Sequence, residues 1–205
     1  MLSDERSLEE TIYSTKRELL NIPEGREEVH GLSDGTFIIH RGVQAIRVLM
    51  TNMFNAYKHE RLYGFQGDVS AIGWSKIFST EETNYFNRAI KKDKIIVEAV
   101  LPQGWFEEQS RTLGIAWAKD YEGRTARVNV IDPSYFGHGG QIWIFKSSLY
   151  LFALNEEIVI EIRNSEIQRM ILALFRFMQD NSKLIDANEL LRKVIAEAGS
   201  SEGQK

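Results

Sequence analysis

The sequence predicts an α/β domain of three layers with a mixed, partly parallel sheet, preceded by an amphipathic helix. Strands and helices alternate from about residue 36 to about residue 120, which is the order that parallel strands joined by helical crossovers require. Several short apolar segments then follow in quick succession, as hairpin strands do. The 205 residues are 43% hydrophobic and 26% charged, so the chain is long and apolar enough to bury one large core.

The alternating part begins at Thr36 and has its helices marked by apolar residues at three- and four-residue spacing. Its predicted elements are a strand at 36–40, a helix opened by Gly42, a strand at 62–65, helices at 69–92 broken near Ser79, a strand at 94–101 and a helix at 104–119. We expect the three strands to lie side by side and to run in one direction, because a helix joins each to the next.

The later part of the chain predicts a meander and two helices. Its strands are expected at 126–131, 141–146, 149–154 and 158–162. Asn164 and Ser165 then cap a helix. The buried face of that helix is expected to contain Ile167, Met170, Ile171, Leu174, Phe175 and Met178. A last helix begins at Asp186, ends at Gly199 and leaves a polar tail.

The ends of the chain differ from its middle, and we divide it into residues 1–35, 36–180 and 181–205. In the first part, Leu8, Ile12 and Leu19 form a narrow apolar stripe on a predicted helix at 3–20. Such a stripe suits a partner helix, although packing on its own domain explains it equally well. Prolines and glycines at 21–35 predict a linker. The last part is a helix with a polar tail.

Composition excludes several classes of function. The chain has no cysteine, so disulfides, thiolate metal sites and cysteine nucleophiles are absent. Its net charge is −4, and no long basic stripe is available for nucleic acid. The N-terminus lacks the apolar region of a signal peptide, and no apolar stretch approaches the ~20 residues of a membrane span. We therefore expect a cytoplasmic protein without membrane or direct nucleic-acid contact.

Motifs of cofactor, metal and nucleophile sites are not found in the sequence. The four histidines have no second ligand at helical spacing, so no metal and no cofactor are expected. The loop at 132–138 combines Asp132, Ser134 and His138, which would serve a nucleophile–base arrangement. The same loop is also typical of a long hairpin connection whose aromatic residues cover the sheet edge.

The order of these elements resembles the C-terminal effector domain of TrmB-type transcriptional regulators, over about residues 36–180. The resemblance rests on a strand and glycine opening a helix at Ile38 to Ile46, and on Phe65-Gln66-Gly67 at the end of a strand. It continues in a basic helix end followed by an apolar strand at 88–100. Close strands at 141–162 then lead into an aromatic closing helix.

This resemblance implies a phospholipase D-like fold without phospholipase D chemistry. Active members of that superfamily carry H-x-K-x-x-x-x-D on a late strand, and the corresponding positions here are Gly139, Gln141 and Lys146. Since none matches, the resemblance implies binding rather than hydrolysis, with no catalytic residues. Only about 35 residues precede the first strand, too few for the family's winged helix-turn-helix. Direct DNA binding in the family manner is therefore not expected.

We expect a non-catalytic sensor or interaction domain that binds a small ligand, such as a sugar or other metabolite, a partner protein, or both. The ligand should lie at the carboxyl ends of the parallel strands. Its candidate binding residues are Arg41, Gly67, Tyr135, Phe136 and His138. A homodimer or a paralogue partner would form through the N-terminal helix.

Two alternatives remain open at this point. One is a hydrolase with a catalytic set around Asp132 and His138. The other is a partner subunit that titrates a DNA-binding paralogue.

Overall fold

A computed structural model describes residues 25–30 and 35–202, and this part of the chain forms one mixed sheet flanked by helices. The strand order is β1-β2-β8-β7-β6-β3-β4-β5-β9. The strands are β1 (Gly25–His30), β2 (Thr36–Arg41), β3 (Arg61–Gln66), β4 (Ile96–Pro102), β5 (Ala126–Ile131), β6 (Gln141–Ile144), β7 (Leu149–Ala153), β8 (Ile158–Arg163) and β9 (Lys183–Ile185).

The helices cover the two faces of the sheet unequally. They are α1 (Val43–Ala56), α2 (Ser70–Ile77), α3 (Thr80–Lys92), α4 (Trp105–Leu113), α5 (Ile115–Tyr121), α6 (Ser165–Asp180) and α7 (Ala187–Glu202). Apolar residues of α1 to α5 and α7 share one core cluster, whereas α6 packs on the opposite face in a second cluster. The expected three-layer α/β domain with a mixed sheet is confirmed.

The order of the strands corrects two sequence-based expectations. Strand β3 pairs in parallel with β4, but β2 is separated from β3 by β8, β7 and β6, so the first three predicted strands do not lie side by side. Strand β5 pairs in parallel with β4 and does not belong to the meander, which consists of β6, β7 and β8. Both β6 and β7 are apolar and largely buried on both faces, so they favour the middle of the sheet.

Two further strands occupy the edges of the sheet. Strand β1 lies within the stretch that the sequence predicts as a linker, and it pairs antiparallel with β2. Its Arg26, Glu27 and Glu28 are exposed, as is common for an edge strand that avoids further pairing. The short β9 pairs with β5 at the other edge. The helix predicted at 3–20 lies outside the described residues.

The larger core is rich in aromatic side chains. All four tryptophans are buried, and they pack in two pairs. The rings of Trp74 and Trp143 are stacked with centroids 5.9 Å apart, while those of Trp105 and Trp117 meet edge to face at 5.7 Å. The first contact joins α2 to β6 and the second joins α4 to α5, and all four rings belong to one core cluster of helices and sheet.

Helix α6 begins at the predicted cap but buries a narrower face than predicted. The Asn164 side chain accepts hydrogen bonds from the backbone N–H groups of Glu166 and Ile167. Phe175 is fully buried, whereas Met170 is 59% exposed and Leu174 is 54% exposed. The reason is that α6 is the single described helix on its face, so only the stripe against the sheet is covered. In residues 25–30 and 35–202, no helix is long and apolar enough to cross a membrane.

Candidate functional site

A cavity of about 660 Å³ lies between α1 and strands β1, β2, β7 and β8, and we call it the α1 cavity. Its volume is in the range of cavities that hold small molecules. Helix α1 supplies an apolar wall, to which Ala45, Val48, Leu49 and Met53 contribute. The strands supply a polar floor. This combination of an apolar wall and a few polar groups is typical of ligand sites.

Gly42 positions the apolar wall directly after β2. Its φ of 85° is a conformation that side chains disfavour, and its backbone N–H donates to the Glu157 carbonyl at 2.9 Å. The chain therefore turns from strand into helix within one residue. Ile46, Met50 and Met53 then recur at four- and three-residue spacing and are buried against the sheet.

The floor of the cavity holds a buried carboxylate between two basic side chains. Glu161 is 3% exposed; its Oε2 lies 3.3 Å from His40 Nε2, and its Oε1 accepts from Arg163 Nε at 2.6 Å. Burial by itself would raise the pKa of Glu161. The bonds from His40 and Arg163, together with their charges, outweigh burial and hold this pKa below its usual range. The ionised carboxylate thus orients Arg163.

Two tyrosines close the inner end of the cavity. The hydroxyl groups of Tyr57 and Tyr150 are 3.0 Å apart, and the Tyr57 ring stacks on Phe145 with centroids 4.1 Å apart. Burial, followed by the Tyr57 hydrogen bond, raises the pKa of Tyr150 well above its usual value. Both tyrosine side chains line the cavity, and each hydroxyl can donate and accept a hydrogen bond.

The charges around the α1 cavity are predominantly positive. Arg26, Arg41 and Arg163 line it together with one acid, Glu161, although the whole chain carries a net charge of −4, and Arg26 also pairs with Glu28 at 2.8 Å. The Nε atom of Arg41 is buried and has no hydrogen-bond partner in the described part of the chain. A buried donor without a partner is costly unless something binds it. This lining therefore suits a ligand with anionic oxygen atoms.

The five candidate residues chosen from the sequence do not converge on the α1 cavity. Of these five, Arg41 lines the α1 cavity, and the 71% exposed Tyr135 lines a second one. Gly67, Phe136 and His138 do meet at the carboxyl end of β3. The set is divided because three strands separate β2 from β3.

The corner formed by Gly67, Phe136 and His138 is packed as a turn. The Phe136 carbonyl accepts from Asp68 N at 3.1 Å, and Phe136 itself is buried. A Cβ atom on Gly67 would lie 1.6 Å from the His138 carbonyl oxygen. Gly67 thus allows two backbones to approach closely, which is a structural role.

The second cavity, of about 1030 Å³, lies where the sequence predicts a ligand, at the carboxyl ends of β4 and β5. Tyr135, Phe177 and Leu190 give it an apolar lining, and its charged residues are Glu107, Asp132 and Lys183. The Asp132 side chain already accepts from Ser134 N at 2.9 Å. The lining of this cavity has mixed charge and contains no buried carboxylate comparable with Glu161.

The alternative catalytic set is held by separate local bonds. Hydrogen bonds from Ser134 lower the pKa of Asp132, and His138 Nδ1 accepts from Gly140 N at 3.1 Å. Asp132 and Ser134 are thus joined through the Ser134 backbone N–H, but within residues 132–140 no hydrogen bond joins His138 to either of them. The described part of the chain contains no group of three or more side chains that could hold a metal ion.

No motif in the sequence points to Tyr57, Tyr150, Glu161 and Arg163 as site residues, although all four line the α1 cavity. A usable signal is the strand Ile158–Arg163, in which one acid and one base interrupt an apolar β-branched run. A charged residue inside such a strand must find partners when it is buried.

Comparisons with known proteins give a coarse structural similarity. No protein-family model matches the chain, and no curated protein matches it. Among solved structures, the chain is similar to TrmBL2, described as an archaeal chromatin protein whose structure shows a novel mode of DNA binding. The sequences are 13% identical, the match covers 90% of this chain and 67% of that chain, and the TM-score is 0.47. With a TM-score below 0.5, this similarity carries no argument about the family, ligand or partner of this chain.

Proposed function

We propose that this chain is a non-catalytic ligand-binding domain and that the α1 cavity takes a small anionic metabolite, such as a sugar phosphate. The main support is the positive lining of the cavity in a chain of net negative charge, with the Arg41 Nε atom buried and unpartnered. Apolar side chains of α1 would cover the carbon skeleton of the ligand.

Charged and neutral side chains of the cavity would bind different parts of the ligand. Arg163, oriented by Glu161, and Arg26 on the edge strand would hold the anionic group through charge-assisted hydrogen bonds. The neutral hydroxyls of Tyr57 and Tyr150 suit the hydroxyl groups of a sugar. Because Arg26 lies at the start of β1, a bound ligand would contact the element that continues into the N-terminal segment.

A ligand contact with β1 would connect ligand binding to the N-terminal segment, through which a partner contact is expected. The partner contact expected through residues 3–20 stays a prediction, because those residues lie outside the described part of the chain. A ligand that orders β1 would change how the preceding segment is presented.

The proposal is tested by thermal denaturation and calorimetry of the full chain with sugar phosphates and with the same sugars lacking phosphate. A sugar phosphate should raise the melting temperature, since ligand at about 100 times its Kd adds roughly 2.7 kcal/mol. The uncharged sugars should shift it less. The ligand should be recovered unchanged after prolonged incubation, as expected for binding without catalysis.

Arg26→Gln should weaken binding by about tenfold or more, because it removes one charge-assisted contact at a half-exposed edge position. The control is Arg127→Gln, an exposed arginine on β5 on the far side of the sheet, which should bind like the unaltered chain. Equal affinities for both variants, or no stabilisation by any of the anions, would contradict the proposed site.

A further inference from the structure

The larger core encloses a cavity of about 60 Å³ between helices α1 to α5 and strands β3, β4 and β6, and we call it the tryptophan cavity. A water molecule takes about 30 Å³ of liquid volume, so this cavity has room for about two waters or one small ligand. It shares no lining residue with the α1 cavity. Its walls are mainly aromatic and include every tryptophan of the chain, namely Trp74, Trp105, Trp117 and Trp143.

One wall of the tryptophan cavity holds a buried cation without a counter-charge. Arg124, in the turn between α5 and β5, is 8% exposed, and no acid within residues 25–30 and 35–202 forms an ion pair with it. The acids nearest to it in the sequence, Asp120 and Glu122, pair with Arg88 and Arg192 instead. Burying a charged group is costly unless an opposite charge or hydrogen bonds compensate it.

The contacts that Arg124 does make are with uncharged groups. Its guanidinium carbon lies 3.8 Å from the centre of the Tyr121 ring, and its Nη2 atom donates to Asn87 Oδ1. Burial lowers the pKa of Arg124 from its usual value, which shows that desolvation outweighs these contacts. Since arginine stays charged at neutral pH, the domain carries a positive charge in its core that protein atoms only partly compensate.

The lining atoms that lack partners are all hydrogen-bond donors. They are Arg124 Nε, Gln109 Nε2 and Trp143 Nε1, and none has an acceptor in the described part of the chain. Gln109 and Trp143 are 1% and 5% exposed, so bulk solvent does not reach these atoms. A water molecule that accepted from them would still have two hydrogen atoms to donate among aromatic rings, whereas an anion only accepts. The lining therefore suits an anion better than water.

We infer that the tryptophan cavity binds a small monovalent anion, such as chloride or iodide, with Arg124 as its main contact. The anion would supply the missing counter-charge and accept hydrogen bonds from unpaired donors of the lining. The cavity volume excludes larger organic anions, and the aromatic walls disfavour a divalent anion, which is costlier to dehydrate. Because the cavity lies where the helices meet the sheet, anion binding should stabilise the folded domain.

Tryptophan fluorescence reports directly on this cavity, because every tryptophan lines it and none lines the α1 cavity. Iodide is the probe, since it is a monovalent anion that quenches tryptophan, and gluconate keeps the ionic strength constant. Quenching of the full chain should saturate with iodide concentration, and added chloride should reverse it by competition. Caesium, a cationic quencher, should quench weakly and without saturation, because the four rings are buried.

Asn87→Asp tests the counter-charge without removing Arg124. It replaces the amide oxygen that accepts from Arg124 Nη2 with a carboxylate oxygen, so the variant carries its own negative charge at this position. Exchanging gluconate for chloride should raise the melting temperature of the unaltered chain and leave that of Asn87→Asp unchanged. The saturable quenching by iodide should be lost in this variant as well.

Arg124→Gln removes the cation itself and should raise the iodide Kd by at least about tenfold, as expected when a charged hydrogen-bonding partner is lost. The matched control is Arg127→Gln, which removes the same charge three residues later at an exposed position outside this lining. Its quenching curve should coincide with that of the unaltered chain. Circular dichroism checks that each variant is folded, and Asn87→Asp decides the test if Arg124→Gln does not fold.

Two results would overturn the inference. One is iodide quenching of the unaltered chain that stays weak and unsaturated like that of caesium, because the cavity would then hold water only. The other is saturable quenching that Asn87→Asp leaves unchanged, because the anion would then bind elsewhere. Neither result bears on sugar-phosphate binding in the α1 cavity, which is measured separately.

Discussion

Glu98 lies in the middle of the sheet, 2% exposed, and three side chains bind its carboxylate. Arg61 and Arg176 form ion pairs with it, and Gln179 Nε2 donates to its Oε2 at 3.1 Å. Burial would raise the pKa of Glu98, but the hydrogen bonds from Gln179 and Arg61 and the two arginine charges lower it below its usual value. The network fastens α6 to β3 and β4.

This network predicts a stability that depends on pH. Because the folded-state pKa of Glu98 is lowered, its contribution is present above the ordinary glutamate pKa of about 4.3 and is lost as the pH falls through the folded value. Glu98→Gln should lower the free energy of unfolding by about 1–3 kcal/mol at pH 7. The difference from the unaltered chain should shrink as the pH falls from 5 to 3, measured by urea denaturation.

Glu108→Gln is the matched control for that measurement. Glu108 pairs with the exposed Arg111 one turn later on α4, and such surface pairs contribute about 0–0.5 kcal/mol. A Glu98→Gln effect that stays constant down to pH 3 would contradict the assignment of the lowered pKa.

Among the elements, α3 has a well-defined start that the sequence already indicates. The break predicted near Ser79 is confirmed, and Ser79 is the N-cap of α3. Ser79 Oγ accepts from Glu82 N at 3.2 Å, while Glu82 Oε2 accepts from Ser79 N at 2.7 Å. These reciprocal bonds satisfy two backbone donors that a helix start leaves free.

Ser79→Ala should lower the free energy of unfolding by about 1 kcal/mol, since it removes the side-chain half of this capping box. Ser75→Ala is the control, because Ser75 is exposed on α2 and its hydroxyl donates only to the Ile72 carbonyl one turn earlier. Chemical denaturation of both variants measures the difference. An equal effect of the two substitutions would show that the cap contributes nothing specific.

For the whole molecule, the C-terminal helix belongs to the same core as the rest of the helical layer. Ala187 and Leu191 are buried in the larger cluster, and Asn188 Oδ1 accepts from Gly123 N at 2.8 Å. Strand β9, just before α7, extends the sheet beyond β5. The domain should therefore unfold in one cooperative transition.

Leu191→Ala should lower the free energy of unfolding by about 2–4 kcal/mol, because it leaves a cavity in that shared core. Tryptophan fluorescence and circular dichroism should still report the same midpoint. The control Lys193→Ala alters an exposed residue of α7 and should leave the unfolding midpoint unchanged. Separate midpoints for the two probes would indicate that α7 unfolds on its own.

Local patterns predicted much of this fold and little of its candidate site. The spacing of Val43, Ile46 and Met50 identifies α1, and the apolar run around Val97 identifies a strand covered on both faces. These predictions succeed because a periodic pattern reports which face of an element is buried. The sequence does not predict the charged β1, because its residues carry no such pattern and its strand conformation depends on pairing with β2.

The amino-acid sequence by itself determined the class of the fold, the position of most helices and strands, and the absence of thiol chemistry. Only the tertiary structure decided which strands are neighbours, that α6 leaves an apolar flank exposed, and that Arg26, His40, Glu161 and Arg163 surround one cavity. The physical reason is the distance along the chain between the residues that determine each property. Helical and strand periodicity is set by residues a few positions apart, whereas strand order and cavity lining depend on how segments distant in the chain bury their faces together.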